Sequence, residues 1–362
     1  MIKKLDKYII KNFLGTYVFM VLLLMSISIV FDVSEKLEDF LEENLTFSEV
    51  VFDYYIYFFV LYSSMFSALI VFISAIWFTS QMASRTEIIA ALSGGVSFNR
   101  LLRPYMIAAT ILTIYSLGMN HFVVPHANKK RNAFENRYVT FSKTQRNKFL
   151  EVIPGTIVYF ESFNVKSNEG NNIWIEKFKE DENGNRQLIY NLQARKVYGD
   201  STSSNWTFKH YFIREVKNGQ EFVRKGKELD TILDFPASEL AQRETIAQSL
   251  TTDDLNKFRQ KEIQKGSDLI TYLDLERYQR SSLPFATYIL TIIAVSVSCR
   301  KTRGGVGVNI AIGLAVTMLY LFFQRIMTVS ATEAGLDPII AVWVPNAIFA
   351  VVAYFFYVKA PK

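Results

Sequence analysis

The stretch Lys3–Glu43, KKLDKYIIKNFLGTYVFMVLLLMSISIVFDVSEKLEDFLEE, combines the features that decide the fold of this chain. A predominantly apolar run, Asn12–Phe31, is preceded by lysines and followed by a cluster of acidic residues. A helix of this length, at about 1.5 Å per residue, crosses the roughly 30 Å hydrocarbon core of a bilayer. The run is longer than the apolar part of a signal peptide and lacks an A-x-A-like cleavage site, so it predicts an uncleaved first membrane span.

Five further apolar segments predict membrane spans: Val50–Phe78, Tyr105–Val124, Leu283–Cys299, Val306–Val329 and Ile339–Val358. The short connections between spans alternate in charge. The flanks and loops on the side of the N-terminus are basic, with Lys3, Lys4, Lys7, Lys11, Arg85, Arg100, Arg103, Arg300, Lys301, Arg303, Lys359 and Lys362. The loops on the other side are mainly acidic. Because basic loops stay in the cytoplasm, this pattern predicts that both termini are cytoplasmic.

The composition narrows the class of protein. Half of the residues are hydrophobic, and the net charge of +6 comes with basic residues at the predicted inner face. We therefore interpret the charge as a topology signal and expect no nucleic-acid partner. The single cysteine, Cys299, allows no disulfide within the chain, so an exported domain must be stabilised by its own core.

The long segment between the third and fourth spans, residues 125–282, is predicted to be extracytoplasmic. Residues 148–235 contain short β-type runs: Thr156–Phe160, Asn171–Lys177, Leu188–Tyr198, Trp206–Glu215 and Glu221–Ile232. Turn residues separate them, at 168–170, 183–185, 199–201 and 218–219. This pattern predicts a small antiparallel barrel or jelly roll. We expect helical connectors on both sides, with Pro125–Lys148 extending the third span outward and Pro284 lying in the first turn of the fourth span.

The predicted fold class is an α-helical polytopic membrane protein, six transmembrane helices arranged three plus three, with an inserted periplasmic β jelly-roll domain. Residues 1–124 form spans one to three, residues 125–282 the β-domain with its connectors, and residues 283–362 spans four to six. A short cytoplasmic helix is expected at about residues 84–95.

That first cytoplasmic loop, Ser84–Ser97 (SRTEIIAALSGGVS), is the strongest local candidate for function. Glu87–Leu92 has helical composition, and Gly94-Gly95 supplies a left-handed stop. A short helix with one acid and a row of Ile and Leu suits docking into a groove on a cytoplasmic partner. The alternative is structural: Ser84 and Glu87 form a capping box, and Ile88, Ile89 and Leu92 lie on the bilayer surface.

Several chemistries are not indicated by the sequence. No G-x-x-x-x-G-K-[ST] motif occurs, so the chain lacks a P-loop for ATP. No G-x-S-x-G nucleophile motif occurs. The three histidines, His121, His126 and His210, stand at no recognised metal-ligand spacing, and we predict a polar interface role for them and no metal site.

Gln324 and Arg325 are the most unusual residues within the apolar spans, near the outer end of the fifth. The Arg325 guanidinium is well shaped to receive a phosphate of a lipid headgroup. Alternatively it is a snorkelling anchor, or it pairs with Glu333 or Asp337.

Four sequence regions together resemble one family. Thr86–Ser97 (TEIIAALSGGVS) with Arg103-Pro104 resembles the coupling-helix region of the lipopolysaccharide-export permeases, the LptF/LptG family. Leu5–Ile9 (LDKYI) resembles the opening of that family, and Glu276–Pro284 (ERYQRSSLP) its entry to the fourth span. The residues GLDP (335–338) and WVPN (343–346) resemble its last loop and final span. The resemblance covers essentially the whole chain and slightly favours the LptG-like member.

The resemblance implies a transport subunit in the inner membrane of a Gram-negative bacterium. It implies a heterodimer with a homologous permease, a cytoplasmic ATPase dimer that binds ATP and Mg, and a single-span, membrane-anchored periplasmic bridge protein. Lipopolysaccharide would enter a cavity between the first and fifth spans and pass through the periplasmic jelly rolls. The residues matching the coupling region would seat in the ATPase: Glu87, Ile88, Ala90, Ala91, Gly95 and Arg103.

The sequence departs from the family at the outer end of the first span. Some members carry lysines there, where headgroup phosphates are thought to sit, whereas Asp32–Asp39 is mainly acidic and offers only Lys36. The candidate lipid-binding residues are therefore Lys36, Gln324 and Arg325. The partner subunit or divalent cations are alternative sources of positive charge.

Two other functions are alternatives to a lipopolysaccharide-export permease. One is a permease of another ABC exporter of lipids or lipoproteins. The other is a membrane scaffold that binds a partner without transport, for which a Glu87 substitution would be silent. An intramembrane enzyme would need convergent polar groups in the spans, and the sequence offers few.

Overall fold

The computed structural model describes residues 3–138, 144–153, 155–164, 167–180, 186–199, 204–217, 220–233, 243–265, 269–299 and 305–360. The chain divides into two compact units. The helical unit comprises Met1–Arg137, Ser249–Thr252 and Leu273–Lys362, and the β unit comprises Tyr138–Gln248 and Asp253–Tyr272.

The described helices, in chain order, are α1 (Lys4–Glu42), α2 (Phe47–Glu49), α3 (Ile56–Met65), α4 (Ser67–Ser84), α5 (Glu87–Ser93), α6 (Phe98–Gly118), α7 (Val124–Tyr138), α8 (Arg243–Ser249), α9 (Thr252–Lys265), α10 (Leu269–Ser298), α11 (Gly305–Glu333) and α12 (Pro338–Lys359). Two π-helical segments, Val50–Tyr55 and Met119–Val123, join α2 to α3 and α6 to α7.

Six helices in the described residues are long and apolar enough to cross a membrane, which confirms the predicted number of spans. They are α1, α4, the continuous helix Phe98–Tyr138, α10, Gly307–Glu333 of α11, and α12. The third span continues as a helix beyond Val124, as expected, and within the described residues this helix reaches Tyr138. Of the predicted inner basic residues, Arg300, Lys301, Arg303 and Lys362 lie outside the described residues.

The second predicted span is interrupted at Phe66. Its backbone (φ −92°, ψ 6°) ends α3, and α4 restarts at Ser67. Side chains next to the interruption bind neighbouring segments: Ser64 Oγ donates to Asn120 Oδ1 (2.6 Å), and the hydroxyls of Tyr17 and Ser67 are 3.4 Å apart. The interruption is thus stabilised by hydrogen bonds to α1 and to the second π-helical segment.

The predicted position of Pro284 in the first turn of a helix is wrong. The helix begins at Leu269, and Pro284 lies in its interior. The charged residues before Leu283 suggested a connector, but within the helix Arg280 pairs with Glu276 (2.8 Å) and donates to the Leu250 carbonyl (2.9 Å). These internal contacts satisfy the polar side chains and let the helix continue. The Pro284 carbonyl accepts a hydrogen bond from Thr113 Oγ1 of α6 (3.3 Å).

The core of the helical unit is centred on α4 and α10. In their apolar windows 67% and 61% of the residues are buried, whereas the corresponding values are 22% for α1 and 17% for α11. Phe72 and Ile76 of α4 and Leu290 and Ile293 of α10 belong to one buried cluster. The first and fifth spans therefore present most of their apolar surface outside the chain, where lipid or another subunit can cover it.

The β unit contains one six-stranded antiparallel sheet with strands in sequence order: β1 (Thr144–Ile153), β2 (Thr156–Asn164), β3 (Glu169–Glu180), β4 (Arg186–Gly199), β5 (Asn205–Lys217) and β6 (Gln220–Ile232). The five predicted β-runs correspond to β2–β6. The predicted helical connector is wrong from Thr144 onward, because pairing with β2 makes this segment a strand despite its polar composition.

The inserted antiparallel β-domain is confirmed, and its described strands are connected as a meander, whereas a jelly roll has crossed connections. The turn at 168–170 lies at the start of β3. The other predicted turns, 183–185, 200–201 and 218–219, lie outside the described residues.

A row of irregular positions folds the sheet on itself. Pairing between β2 and β3 passes from Phe160–Ile173 to Ser162–Asn171, and the same skip crosses the neighbouring strand pairs. Asn172 and His210 in this row have positive φ, 47° and 56°. The alternation of inward- and outward-facing side chains shifts by one residue at this row, so side chains from both sides of it share one core. This core includes Val158, Phe160, Phe163, Ile175, Leu192, Val197, Trp206 and Phe208. Such corners allow a single sheet to enclose a core as two packed sheets do.

Candidate functional site

Helix α5 forms the connection between α4 and α6, where the sequence predicts a docking helix. Thr86, its N-terminal flanking residue, is in the left-handed region (φ 62°) and makes no side-chain cap. The predicted capping box does not form, because Ser84 ends α4 and its hydroxyl donates to the Gln81 carbonyl (2.8 Å). Gly95 (φ 84°) follows the helix, which confirms the predicted left-handed stop.

The two faces of α5 have different environments. Ile88 is fully buried in the helical core, and Leu92 packs against the same core. Ile89 and Ala90 are exposed, and Ala91 is half-buried. Ile88 therefore anchors α5 and is not available to a partner in this conformation, whereas Ile89 is exposed next to Ala90.

Glu87 opens α5 and bonds to the first helix. The Tyr8 hydroxyl donates to Glu87 Oε2 (3.2 Å), and the Tyr8 ring packs near Phe78 with centroids 6.3 Å apart. The Glu87 side chain remains half-exposed. The Glu87 carboxylate is thus held in a defined position beside the start of α1 while still accessible.

A second contact joins the start of α1 to the start of α6. Arg100 Nη1 and Nη2 donate to Asp6 Oδ1 (2.6 Å) and Oδ2 (2.7 Å), and the Lys3 backbone N–H donates to Asp6 Oδ2 (2.8 Å). The Asp6 side chain is only 5% exposed. Because two nitrogens bond to two oxygens, the pairing fixes the orientation of the Arg100 guanidinium relative to the Asp6 carboxylate as well as the distance between them. The sequence analysis used Arg100 only as evidence of topology. Asp6 could have been singled out, because it is an acidic residue among the lysines that precede the first span.

The C-terminal end of α12 reaches the same region. The Tyr357 hydroxyl donates to Asn99 Oδ1, and the Tyr357 ring lies 5.9 Å from that of Phe98. Gly95 and Arg103 are exposed. The predicted coupling residues Glu87, Ala90, Gly95 and Arg103 thus offer surface near the inner helix ends.

At the other end of α1, Lys36 is buried in an ionic network. Its ammonium group lies 2.8 Å from Asp32 Oδ1 and 2.9 Å from Glu135 Oε1, and its side chain is 7% exposed. It also donates to the Tyr54 hydroxyl and lies 4.6 Å from the centre of that ring. The Tyr54 hydroxyl donates to Glu135 (3.1 Å) and the Tyr55 hydroxyl to Asp32 (3.2 Å).

The network is electrically balanced and enclosed by aromatic rings. Arg131 supplies the second cation, 3.5 Å from Glu135, and donates to the Tyr62 hydroxyl (3.1 Å). Phe134 and Phe40 pack against Tyr54. The network joins α1, the first π-helical segment and α7, all within the helical unit. Its partners lie far apart in sequence, which is why the sequence alone did not reveal them.

Arg325 contrasts with Lys36. It is exposed on α11, and within the described part of the chain no hydrogen bond or ion pair involves its guanidinium. Gln324 beside it is half-buried, and the Gln324 backbone carbonyl accepts a hydrogen bond from the Thr328 hydroxyl (2.9 Å). The alternative partner Asp337 caps α12 by accepting from the Ile339 N–H (2.8 Å). No described contact joins Arg325 or Gln324 to Lys36.

The histidines occupy separate environments. His121 Nδ1 is 3.0 Å from Thr252 Oγ1 and its Nε2 is 3.4 Å from Ser281 Oγ, so this side chain has the predicted polar interface role. Among the described residues, no group of three or more His, Cys, Asp or Glu side chains is arranged to hold a metal ion.

Comparison with known proteins gives one family. The family described as "Lipopolysaccharide export system permease LptF/LptG" matches residues 7–359, nearly the whole chain. No curated protein matches the chain.

Proposed function

The chain belongs to the LptF/LptG family of lipopolysaccharide export permeases, and we propose that it is one half of an ATP-driven exporter. It is a multi-pass inner-membrane transport subunit of lipopolysaccharide export. The finer proposal is a heterodimer with a homologous permease, served by a cytoplasmic ATPase dimer that binds ATP and Mg. Both termini are proposed to face the cytoplasm of a Gram-negative cell.

The observation that supports the ATPase proposal is the exposed face of α5. Ile89 and Ala90 form a small apolar surface beside the half-exposed carboxylate of Glu87, while Ile88 fixes the helix to the core. A short helix with an apolar face and an acidic start is suited to insertion into a groove of a partner. We propose Glu87, Ala90, Ala91, Gly95 and Arg103 as the coupling surface, with Ile88 as its anchor.

We propose Arg325, with Gln324 beside it, as the headgroup contact of this subunit. An exposed guanidinium on an apolar helix is costly unless it reaches an anionic group or the interface. A lipid phosphate provides such a group in a geometry that matches the guanidinium. The predicted lipid contact at Lys36 is less well supported, because its ammonium already has two carboxylate partners.

We propose that the β unit takes part in the periplasmic step of transport. Lipopolysaccharide leaving the membrane would pass along the β-domains of the two permeases to a single-span, membrane-anchored bridge protein. Among the described residues the sheet has β1 and β6 at its two edges, which supports an extension by strand pairing with that protein.

The test is co-purification of the tagged protein in mild detergent, with and without Glu87→Arg. Wild type should bring down an ATPase, a homologous permease and lipopolysaccharide, and Glu87→Arg should lose the ATPase and keep the permease. Glu333→Arg makes the same change at an exposed glutamate at the end of α11 and should retain all partners. A wild-type protein that purifies alone, while other membrane complexes survive, would contradict the transporter proposal and favour a scaffold.

A further inference from the structure

Two side chains from the first turns of α1 contact the two ends of the loop that carries α5. Tyr8 bonds to Glu87 at the start of α5, and Asp6 pairs with Arg100 just after it. We call these four residues, Asp6, Tyr8, Glu87 and Arg100, the inner clasp. The Tyr8–Glu87 and Asp6–Arg100 pairs span 79 and 94 residues of sequence, so the clasp joins segments that are far apart along the chain.

The ion pair of the clasp is built for a fixed geometry. Both guanidinium nitrogens bond to the carboxylate, the Asp6 side chain is nearly inaccessible to water, and a backbone N–H adds a third bond. Charge-assisted, two-point bonds in a partly buried site resist rotation and stretching more than single surface ion pairs do. Arg100 therefore cannot be displaced unless the ion pair with Asp6 breaks or the start of α1 moves with it.

The helices attached to α5 differ in their freedom to move. Helix α4 lies in the middle of the helical core, whereas α1 has most of its apolar surface outside the chain. A displacement of α5 that repacked α4 would disturb the core, and close-packed interiors resist such changes. Helix α1 contributes one stripe, Ile9, Phe13 and Tyr17, to that core, and the rest of its apolar surface lies outside the chain. A displacement passed to α1 would therefore move one packed stripe while most of the helix slides along lipid or a partner.

We infer that the inner clasp transmits movement of the α5 loop to α1, so that Asp6 and Arg100 are positioning residues of the transport cycle. This inference rests on the proposed docking of an ATPase on α5. When the ATPase closes, the loop and the start of α6 move together, and the clasp moves the inner end of α1 with them. Ile88 holds the loop to the core, and the clasp carries the displacement outward to the first span.

The experiment uses the purified complex with its ATPase in liposomes that contain lipopolysaccharide. Three quantities are measured for each variant: the ATPase retained per permease, the rate of ATP hydrolysis, and the lipopolysaccharide delivered per ATP hydrolysed. The variants are Asp6→Asn, the exchange Asp6→Arg with Arg100→Asp, and the control Lys7→Gln, which changes an exposed neighbouring charge.

For Asp6→Asn we expect full retention of the ATPase and sustained hydrolysis. Lipopolysaccharide delivered per ATP should fall about ten-fold, equivalent to about 1.4 kcal/mol of lost coupling. The exchange variant should recover most of the ratio, and Lys7→Gln should match wild type. A purely structural contact would lower all three quantities together.

The possible failures are distinguishable. If wild type retains no ATPase, the proposed function is wrong and the inference falls with it. If the ATPase is retained and Asp6→Asn delivers lipopolysaccharide at the wild-type ratio, only the transmission role is overturned. Loss of the ATPase from Asp6→Asn, or failure of both the single and the exchange variants to accumulate in the membrane, would assign the clasp to docking or folding and also overturn it.

Discussion

Lys36, on α1 beyond its apolar run, and Arg325, on α11, are the two basic residues considered as lipid ligands, and the structure gives them opposite surroundings. Lys36 is enclosed with two carboxylates and a tyrosine hydroxyl, whereas Arg325 is exposed on an apolar helix. Removing one member of a buried ionic group leaves the others without compensation, which costs more than the group contributes when intact. Exposed charges away from such groups have little effect on stability.

We therefore predict opposite consequences for the two alanine variants. Lys36→Ala should lower the free energy of unfolding by about 3–5 kcal/mol, because Asp32 and Glu135 stay buried without their cation. Arg325→Ala should change it by less than about 0.5 kcal/mol but should reduce the lipopolysaccharide that co-purifies. Thermal unfolding in detergent and lipid mass spectrometry on the same preparations measure both effects.

Lys36→Arg is the matched control at the buried site, since it keeps the charge and should recover part of the lost stability. Arg325→Lys keeps the charge without the planar fork and should bind lipid to an intermediate extent. An Arg325→Ala protein with full lipid content would remove this residue from the headgroup proposal. A stable Lys36→Ala protein with depleted lipid would restore Lys36 as the lipid ligand.

At the scale of the element, α11 shows how small residues divide between its two faces. The four-residue spacing of Gly307, Ala311 and Ala315 puts them on one face, and small residues at this spacing often serve close helix packing. In the structure that face is exposed, and Gly313 is the residue that faces α4. A Cβ at Gly313 would meet the Ile76 side chain at less than contact distance and the Phe72 ring at 3.1 Å.

A larger side chain at position 313 should separate α11 from α4. We predict that Gly313→Leu lowers the free energy of unfolding by about 1–3 kcal/mol, the usual cost of overpacking. Ala315→Leu adds a similar volume on the exposed face of the same helix and should change it by less than about 0.5 kcal/mol. The midpoints of thermal unfolding in detergent compare them. Equal destabilisation by both would mean that α11 packs differently on α4.

The whole molecule shows which features local patterns could predict. Length and apolar content were sufficient for the six spans, because each span must satisfy its own backbone in lipid. Alternating runs and turns located β2–β6, but β1 depends on pairing with β2 and was missed. The start of α10 was missed as well, because the charged residues before Leu283 indicated a connector, whereas in the fold Arg280 is paired with Glu276 and the Leu250 carbonyl.

The candidate site followed the same division. The loop with Glu87 could be recognised as a helix with a glycine stop, because both signals are local. The partners of Lys36 and Arg100 could not be recognised from the sequence. Glu135 lies 99 residues from Lys36, Asp6 lies 94 residues from Arg100, and no periodicity connects either pair. Long-range polar pairing therefore defines the part of the site that only the fold reveals.

The orientation of the whole chain is predicted from the positive-inside pattern alone. We expect cysteines at Lys4 and Ser93 to be protected from a membrane-impermeant maleimide in spheroplasts, and cysteines at Asn44 and Ser167 to be labelled. All four positions are exposed within the protein, so burial would not confuse the result. The buried native Cys299 is replaced by Ser first, which leaves one thiol per variant.

After permeabilisation all four cysteines should react, which controls for protein amount and thiol state. Labelling at Ser93 in intact spheroplasts would place α5 outside the cytoplasm, where no ATP-hydrolysing partner could reach it, and would contradict both the docking proposal and the inner clasp. Labelling at Ser167 alone, with Asn44 protected, would mean that the first two spans do not cross the membrane separately. The charge pattern then would not determine the topology, since the acidic loop after α1 would lie inside despite its lack of basic flanks.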